Sequence, residues 1–253
     1  MGYWCLYRHP HARAEGLQKN EMHAEGEEEM NYTFDIVSSS LLCFAALLGF
    51  VYGLIRFFRS GQALYKKMVA CAIGCLFIER LYGIVQILVA GDVTQLFQIG
   101  TFGNIGCYMF LFSANYGAID KLIDDGSAEL KKYRQIALAA PAVAIGIGVV
   151  LLLSPSDPGR TITCAIEELF TGASAYYSLK HLLIPKKYMD FLSSLKPFHA
   201  LCLLLAVGLT TENIIWCYQI TTEVVWAVPY TLLLFVMPAT APVLERGIKK
   251  WRA

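Results

Sequence analysis

The chain has 253 residues, of which 56% are hydrophobic and 16% charged, and its 21 Lys and Arg nearly balance its 20 Asp and Glu. Soluble globular domains carry nearer a quarter charged residues, so this composition excludes an ordinary soluble fold and points to a membrane protein. It leaves no room for a soluble catalytic or nucleic-acid-binding domain, because the longest aqueous stretch is an N-terminal tail.

That tail, residues 1–32, is polar and runs into "EGEEE". It has no apolar core of the kind a signal peptide needs, and reads as a disordered or artefactual extension with Met22 and Met30 as alternative starts. The transmembrane domain then occupies residues 33–246. Seven apolar stretches of about 20 residues match the length a helix needs to cross a bilayer. Backbone groups in lipid must be satisfied within the segment, so each is a helix.

Helix 1 is expected at 34–57. Helix 2, at 68–90, contains "FIERLYGIVQ", which sets Glu79 and Arg80 side by side in an apolar run. Neighbours in sequence point about 100° apart, so the spacing predicts that they do not pair with each other. Glu79 shares a helical stripe with Tyr82 and Gln86 instead. Helix 3, at 98–120, has Gly100, Gly103 and Gly106, which permit close helix contact, and Asn104 and Asn115 three turns apart on one face. Helix 4 is placed at 135–154.

Helix 5, at 162–183, contains "CAIEELFTGASAYYSLKHLL". Here Glu167, Thr171, Ser174, Ser178 and His181 recur at steps of four, three, four and three. Such a polar face lines an aqueous path or a buried seam, or else His181 is interfacial beside Lys180 and the serines bond back to the helix; Glu168 lies beside it. Helix 6, at 198–220, places Glu212, Trp216 and Gln219 on one stripe, with Asn213 adjacent. Helix 7, at 224–244, has Pro238 and Pro242, expected to kink its inner end. A basic tail, 247–253, closes the chain. The eight cysteines, six of them well inside spans, show no metal or disulfide spacing.

Orientation follows from Lys and Arg. The connections after helices 1, 3 and 5 and the C-terminal tail hold four each, counting helix edges, whereas the other three connections hold Arg160 alone. This asymmetry puts the N-terminus outside and the C-terminus inside. Short loops suggest a bacterial inner membrane.

Segments match at a fixed offset. "YGLIRFF" (52–58) lies over "YSLKHLL" (177–183), and "FSANYGAIDK" (112–121) over "MPATAPVLER" (237–246), both 125 residues on. "ERLYGIVQ" (79–86) lies over "ENIIWCYQ" (212–219) at an offset of 133. The expectation is a 3+1+3 parallel repeat, with halves at 34–120 and 162–244 and helix 4 as linker. In helix count, topology and repeat arrangement this resembles the seven-helix SWEET and PQ-loop transporters, although the Pro-Gln dipeptide is absent. Rhodopsins share the topology, but the last span lacks a lysine to hold retinal. "AIEELF" also resembles a short segment of the integral-membrane lycopene cyclases, which implies Glu167 or Glu168 acting as an acid.

A charge at mid-bilayer costs about 2.5–3.5 kcal/mol on insertion scales, so it faces the bundle interior and has a partner. The repeat relates Glu79 to Glu212 near the membrane centre, where repeat-built transporters keep their substrate site. One arginine, Arg80, cannot neutralise Glu79, Glu167, Glu168 and Glu212, so at least one is expected to carry a proton. An Arg–Glu lock between helix 2 and helix 5 or 6 is the structural alternative. The expected function is a small secondary transporter or channel for a polar solute, proton-coupled, with no cofactor, metal or enzyme motif. A seven-helix sensor acting through its basic loops, and an intramembrane enzyme, are the alternatives. The expected partners are the bilayer and a polar solute or proton, without nucleic acid or retinal, and a homo-oligomer is compatible with the sequence.

Overall fold

The computed structural model describes residues 36–90, 100–120, 124, 126–185, 190–220 and 222–252. The expectations for the tail 1–32 and for the connection 91–97 fall outside them. By its contacts the chain divides after Ser38. Of the first unit only Ile36–Ser38, the start of the first helix, are described, and the fold is that of the second, Ser39–Ala253.

The described residues form helices and turns, with no strand among them. In chain order the helices are α1 (Ile36–Phe57), α2 (Leu64–Ala90) and α3 (Thr101–Ala114). Then come α4, in the two segments Lys131–Ala137 and Ala139–Leu152, α5 (Pro158–Leu183), α6 (Asp190–Cys217) and α7 (Glu223–Arg252). α3 continues as a wider π-helical turn over Asn115–Asp120. α2 and α6 begin earlier than their apolar stretches, and α7 carries the basic tail as helix to Arg252. Pro197, Pro229, Pro238 and Pro242 all lie inside continuous helices.

Among the described residues five helices are long and apolar enough to cross a membrane: Ile36–Phe57, Leu64–Val89, Ala128–Leu152, Ser193–Cys217 and Val224–Trp251. α3 is short of α-helical residues, and α5 carries Arg160, Glu167, Glu168 and Lys180. Large apolar side chains face outward all round the helices, among them Phe44, Ile78, Met109, Val143, Val207 and Phe235. Water does not tolerate so continuous an apolar exterior on a monomer, and lipid does. The chain is a helical, multi-pass membrane protein.

Small residues set the helix contacts, as close packing in lipid requires. Gly53 of α1 packs on Ala70 of α2. α2 lies against α3, α3 against α5, α5 against α6 and α6 against α7. Gly49 brings α1 onto the backbone of Met237 and Pro238 in α7, which closes the order. α4 stands apart from this circuit and packs on α5, where Gly172 faces Pro141 and Ala144. The shared interior is built from Leu42, Ile73, Leu76, Tyr108, Leu111 and Phe198, with Leu205, Leu233 and Met237. α5 has a well-made start: Pro158 occupies its first turn, and the Asp157 side chain accepts hydrogen bonds from the amides of Gly159 and Arg160.

Candidate functional site

α2 and α6 are joined by a charged triad. Arg80 Nη2 donates to Glu212 Oε2 at 2.5 Å. Its Nε stands 2.8 Å from Glu79 Oε2, an ion contact without hydrogen-bond geometry. This corrects the expectation that Glu79 and Arg80 do not pair. The 100° rule governs where Cα–Cβ bonds point, and two long side chains leaving adjacent positions still bend their heads together. The helix lock that the sequence offered as an alternative is therefore present between α2 and α6. The triad carries one negative charge in excess.

Glu79 is positioned by α3. A Cβ built at Gly103 would stand 2.5 Å from Glu79 Cβ and 2.7 Å from the Cys75 carbonyl, so only glycine allows this approach. Tyr82 also reaches that side, with its ring at 3.5 Å from where a Gly100 Cβ would be. Gln86 is buried one turn on, and its amide nitrogen has no partner among the described residues.

A second group of polar side chains lies between α3, α5 and α6. Glu168 accepts from Thr210 Oγ1 at 2.9 Å and from Asn213 Nδ2 at 3.3 Å. Cys164 Sγ is 3.7 Å from Asn213 Oδ1. Glu167 is 0% exposed. The Asn213 and Asn104 amides face it, and no cation pairs with it among the described residues. Asn104 Oδ1 is buried without a hydrogen-bond partner among the described residues, and the Tyr108 hydroxyl is buried facing Thr171.

The face of α5 that the sequence singled out is buried along its whole length: Thr171, Ser174, Ser178 and His181 all lie inside. Thr171 bonds back to the Glu167 carbonyl at 3.0 Å, and Ser178 Oγ lies buried beside Cys202. Asn115, fully buried at the start of the π turn, has none for either amide atom.

At the far end of this face His181 Nε2 meets Asp120 Oδ1 at 3.1 Å. Lys180 pairs with Asp120 and, at 3.1 Å, with Asp124, which Arg134 also approaches at 3.4 Å. The His199 ring of α6 packs edge-on to His181 at 4.6 Å. Its two nitrogens have no partner among the described residues. Sequence reasoning found His181 and missed Asp120, Asp124, Lys180 and His199. The repeat held a signal for part of this, since the 125-residue offset sets Asp120 over Glu245 and His181 over Arg56.

No family model, curated protein or solved structure matches the chain. The site therefore has to be read from its own chemistry.

Two candidates stand elsewhere. Trp216 takes the Arg160 guanidinium over its ring at 4.3 Å and packs against the small cluster of Leu151, Cys164 and Cys217. Gln219 is not on the Glu212 stripe, because α6 ends at Cys217. Gln219 adopts the left-handed conformation (φ 53°) and is exposed. Its amide donates to the Trp216 carbonyl at 3.2 Å, and the Ile220 amide to Ile215 at 3.0 Å. This is the Schellman end that usually takes glycine. The sequence has no Gly or Pro there, so the stop was not visible. Gln219→Gly is expected to stabilise the protein by about 0.5–1 kcal/mol, since a side chain is strained at positive φ. Thermal unfolding in detergent checks it, and a lowered midpoint contradicts the assignment.

Proposed function

We propose that the chain is a small secondary transporter that moves a polar solute, coupled to protons, through a polar seam between α2, α3, α5 and α6. One observation carries this reading: the Glu167 carboxylate is wholly buried with the Asn104 and Asn213 amides beside it and no cation paired with it among the described residues. Burying an uncompensated ion costs several kcal/mol, and a carboxylate kept as glue needs the partner that this one lacks. A group that alternately binds a proton and a solute is left unpaired between those events. From Glu167 the polar face of α5 runs 14 residues to His181, about 21 Å at 1.5 Å per residue. The Glu79–Arg80–Glu212 triad holds α2 to α6 on the other side.

The architecture that goes with this reading has seven crossing helices, with the N-terminus outside and the C-terminus inside a bacterial inner membrane. The distribution of Lys and Arg supports it. α3 and α5 complete the seven because their polar groups face the other helices rather than lipid.

Two observations support the 3+1+3 repeat. The principal contacts map onto themselves when α1, α2 and α3 are exchanged for α5, α6 and α7, leaving α4 as the linker. The 125-residue offset also maps one clasp onto another. Arg56 Nη2 meets Glu245 Oε1 at 3.1 Å between α1 and α7, and His181 meets Asp120 at 3.1 Å between α5 and α3. Arg56 aligns with His181 and Glu245 with Asp120, so equivalent positions make equivalent pairs. The enzyme reading expects Glu167 and Glu168 beside a pocket open to lipid, whereas both are buried among other helices.

Proteoliposomes holding a pH-sensitive dye test the proposal against a panel of amino acids, sugars and organic acids. At least one solute is expected to drive proton movement that falls at least about tenfold in Glu167→Gln, equivalent to some 1.4 kcal/mol. If no solute exceeds empty liposomes, or if Glu167→Gln transports like the parent, the reading fails.

A further inference from the structure

α5 and α6 run antiparallel in one continuous register. The His181 ring meets His199 at 4.6 Å, Ser178 faces Cys202, and Glu168 meets Thr210 at 2.9 Å and Asn213 at 3.3 Å. The next step of the register puts Cys164 against the last turn of α6. Its Sγ is 3.7 Å from Asn213 Oδ1. One turn beyond Asn213 stands Cys217, whose thiol is in hydrogen-bond contact with that of Cys164. Both cysteines are wholly buried and pack together with Leu151 of α4. Their separation in the linear sequence carries no disulfide signature, and only the fold brings them together. Two thiols in contact across a helix pair reach bonding distance by side-chain rotation and a small approach of the helices.

The surroundings of the two sulfurs differ. Glu168 lies beyond both, but Cys217 has the Arg160 guanidinium and the Ser154 hydroxyl beside it. A thiolate is the nucleophile in thiol–disulfide exchange, and the adjacent cation and donor make Cys217 the attacking sulfur. Local opening also reaches it first. Cys217 is the last residue of α6, just ahead of the left-handed turn at Gln219 (φ 53°), and helix ends open more readily than helix interiors.

We propose that Cys164 and Cys217 form a redox-active dithiol that a disulfide-bearing thiol carrier oxidises to a reversible disulfide fastening α5 to α6. The Cys217 thiolate attacks one sulfur of the carrier's disulfide and expels the other as a thiolate, which leaves Cys217 in a mixed disulfide. Cys164 gives its proton to the expelled thiolate, and its sulfur then attacks Cys217. The second carrier thiolate departs and takes up the proton that Cys217 had lost. Two protein thiols are thereby oxidised by two electrons, and one carrier disulfide is reduced to two thiols. On the seven-helix arrangement proposed above, these helix ends face outside, the oxidising side of a bacterial inner membrane. The pair and its chemistry stand without the transport reading, and the experiment that tests them does not measure transport.

The full chain in detergent is equilibrated with oxidised glutathione, then denatured, and its free thiols are labelled with a maleimide. The parent is expected to lose the labelling of Cys164 and Cys217 together, to give a Cys164–Cys217 cross-linked peptide on digestion, and to recover both thiols in dithiothreitol. Cys164→Ala is expected to hold one glutathione on Cys217, and Cys217→Ala to hold none on Cys164. Cys71→Ser, on α2, forms the cross-link as the parent does. Thermal unfolding gives a second readout: the oxidised parent melts above the reduced one, and the difference vanishes in both alanine variants. A parent that keeps both thiols, or that links another pair of cysteines in their place, overturns the proposal. So does an oxidised parent that melts below the reduced one. Equal glutathione uptake at the remaining cysteine of the two alanine variants overturns Cys217 as the attacking sulfur.

Discussion

Arg80→Leu lowers the stability of the detergent-solubilised protein by about 3–5 kcal/mol, the cost of leaving buried charges without their partner. Arg80 is in contact with two carboxylates at once, Glu212 at 2.5 Å and Glu79 at 2.8 Å, and all three side chains are at most 16% exposed. Removing the guanidinium strands both acids. Removing all three charges together behaves differently. With Glu79, Arg80 and Glu212 each changed to Met, no ion is left to desolvate, and stability returns to within about 1–2 kcal/mol of the parent or exceeds it. Denaturant titration of the parent, the single variant and the triple variant checks both statements. A single variant as stable as the parent contradicts the pairing. A triple variant as unstable as the single one means that packing, not charge, is what Arg80 supplies.

The same substitution at two glycines is expected to have opposite signs. Gly103→Ala costs about 1–3 kcal/mol, because its methyl meets Glu79 Cβ at 2.5 Å and the Cys75 carbonyl at 2.7 Å. Neither contact is the loose end of a long side chain, so relief requires α2 and α3 to separate. Gly83→Ala, with no neighbouring atom within 4 Å, gains about 0.5–1 kcal/mol from the better helix former. Paired thermal melts decide the matter. Equal effects at both sites mean that α2 and α3 are not in this close contact. Because Gly103 lies against Glu79, its substitution also displaces the triad.

The sequence exposed some of this and hid the rest for identifiable reasons. The polar face of α5 was legible because a 3.6-residue period is a property of local spacing, and Glu167, Ser174, Ser178 and His181 are all buried on it. The close packing at Gly103 and Gly106 was legible because small residues have few other uses in a span. The pairing of Glu79 with Arg80 was misread, since backbone periodicity does not constrain the reach of long side chains. Gln219 was misread because the end of α6 uses a left-handed glutamine where glycine is the usual signal. The cluster of Asp120, Asp124 and Lys180 was hidden because linear spacing does not say which helix ends meet, and the π turn that brings Asp120 against His181 has no sequence signature. Nothing in the linear spacing of α6 marks His199, whose contact with His181 exists only because α5 packs beside it.

The attachment of α4 to the outside of α5 bears on how the chain enters its membrane. α5 holds Arg160, Glu167, Glu168 and Lys180 and falls short of the apolarity of the five free-standing spans. A segment so loaded partitions poorly from the translocon when it is presented alone. α4 has the highest hydropathy of the five, is joined to α5 through the turn at residues 153–157, and packs on it. On the proposed seven-helix arrangement, α4 and α5 enter lipid as a hairpin, and the linker helix serves as the chaperone of the most polar helix in the protein.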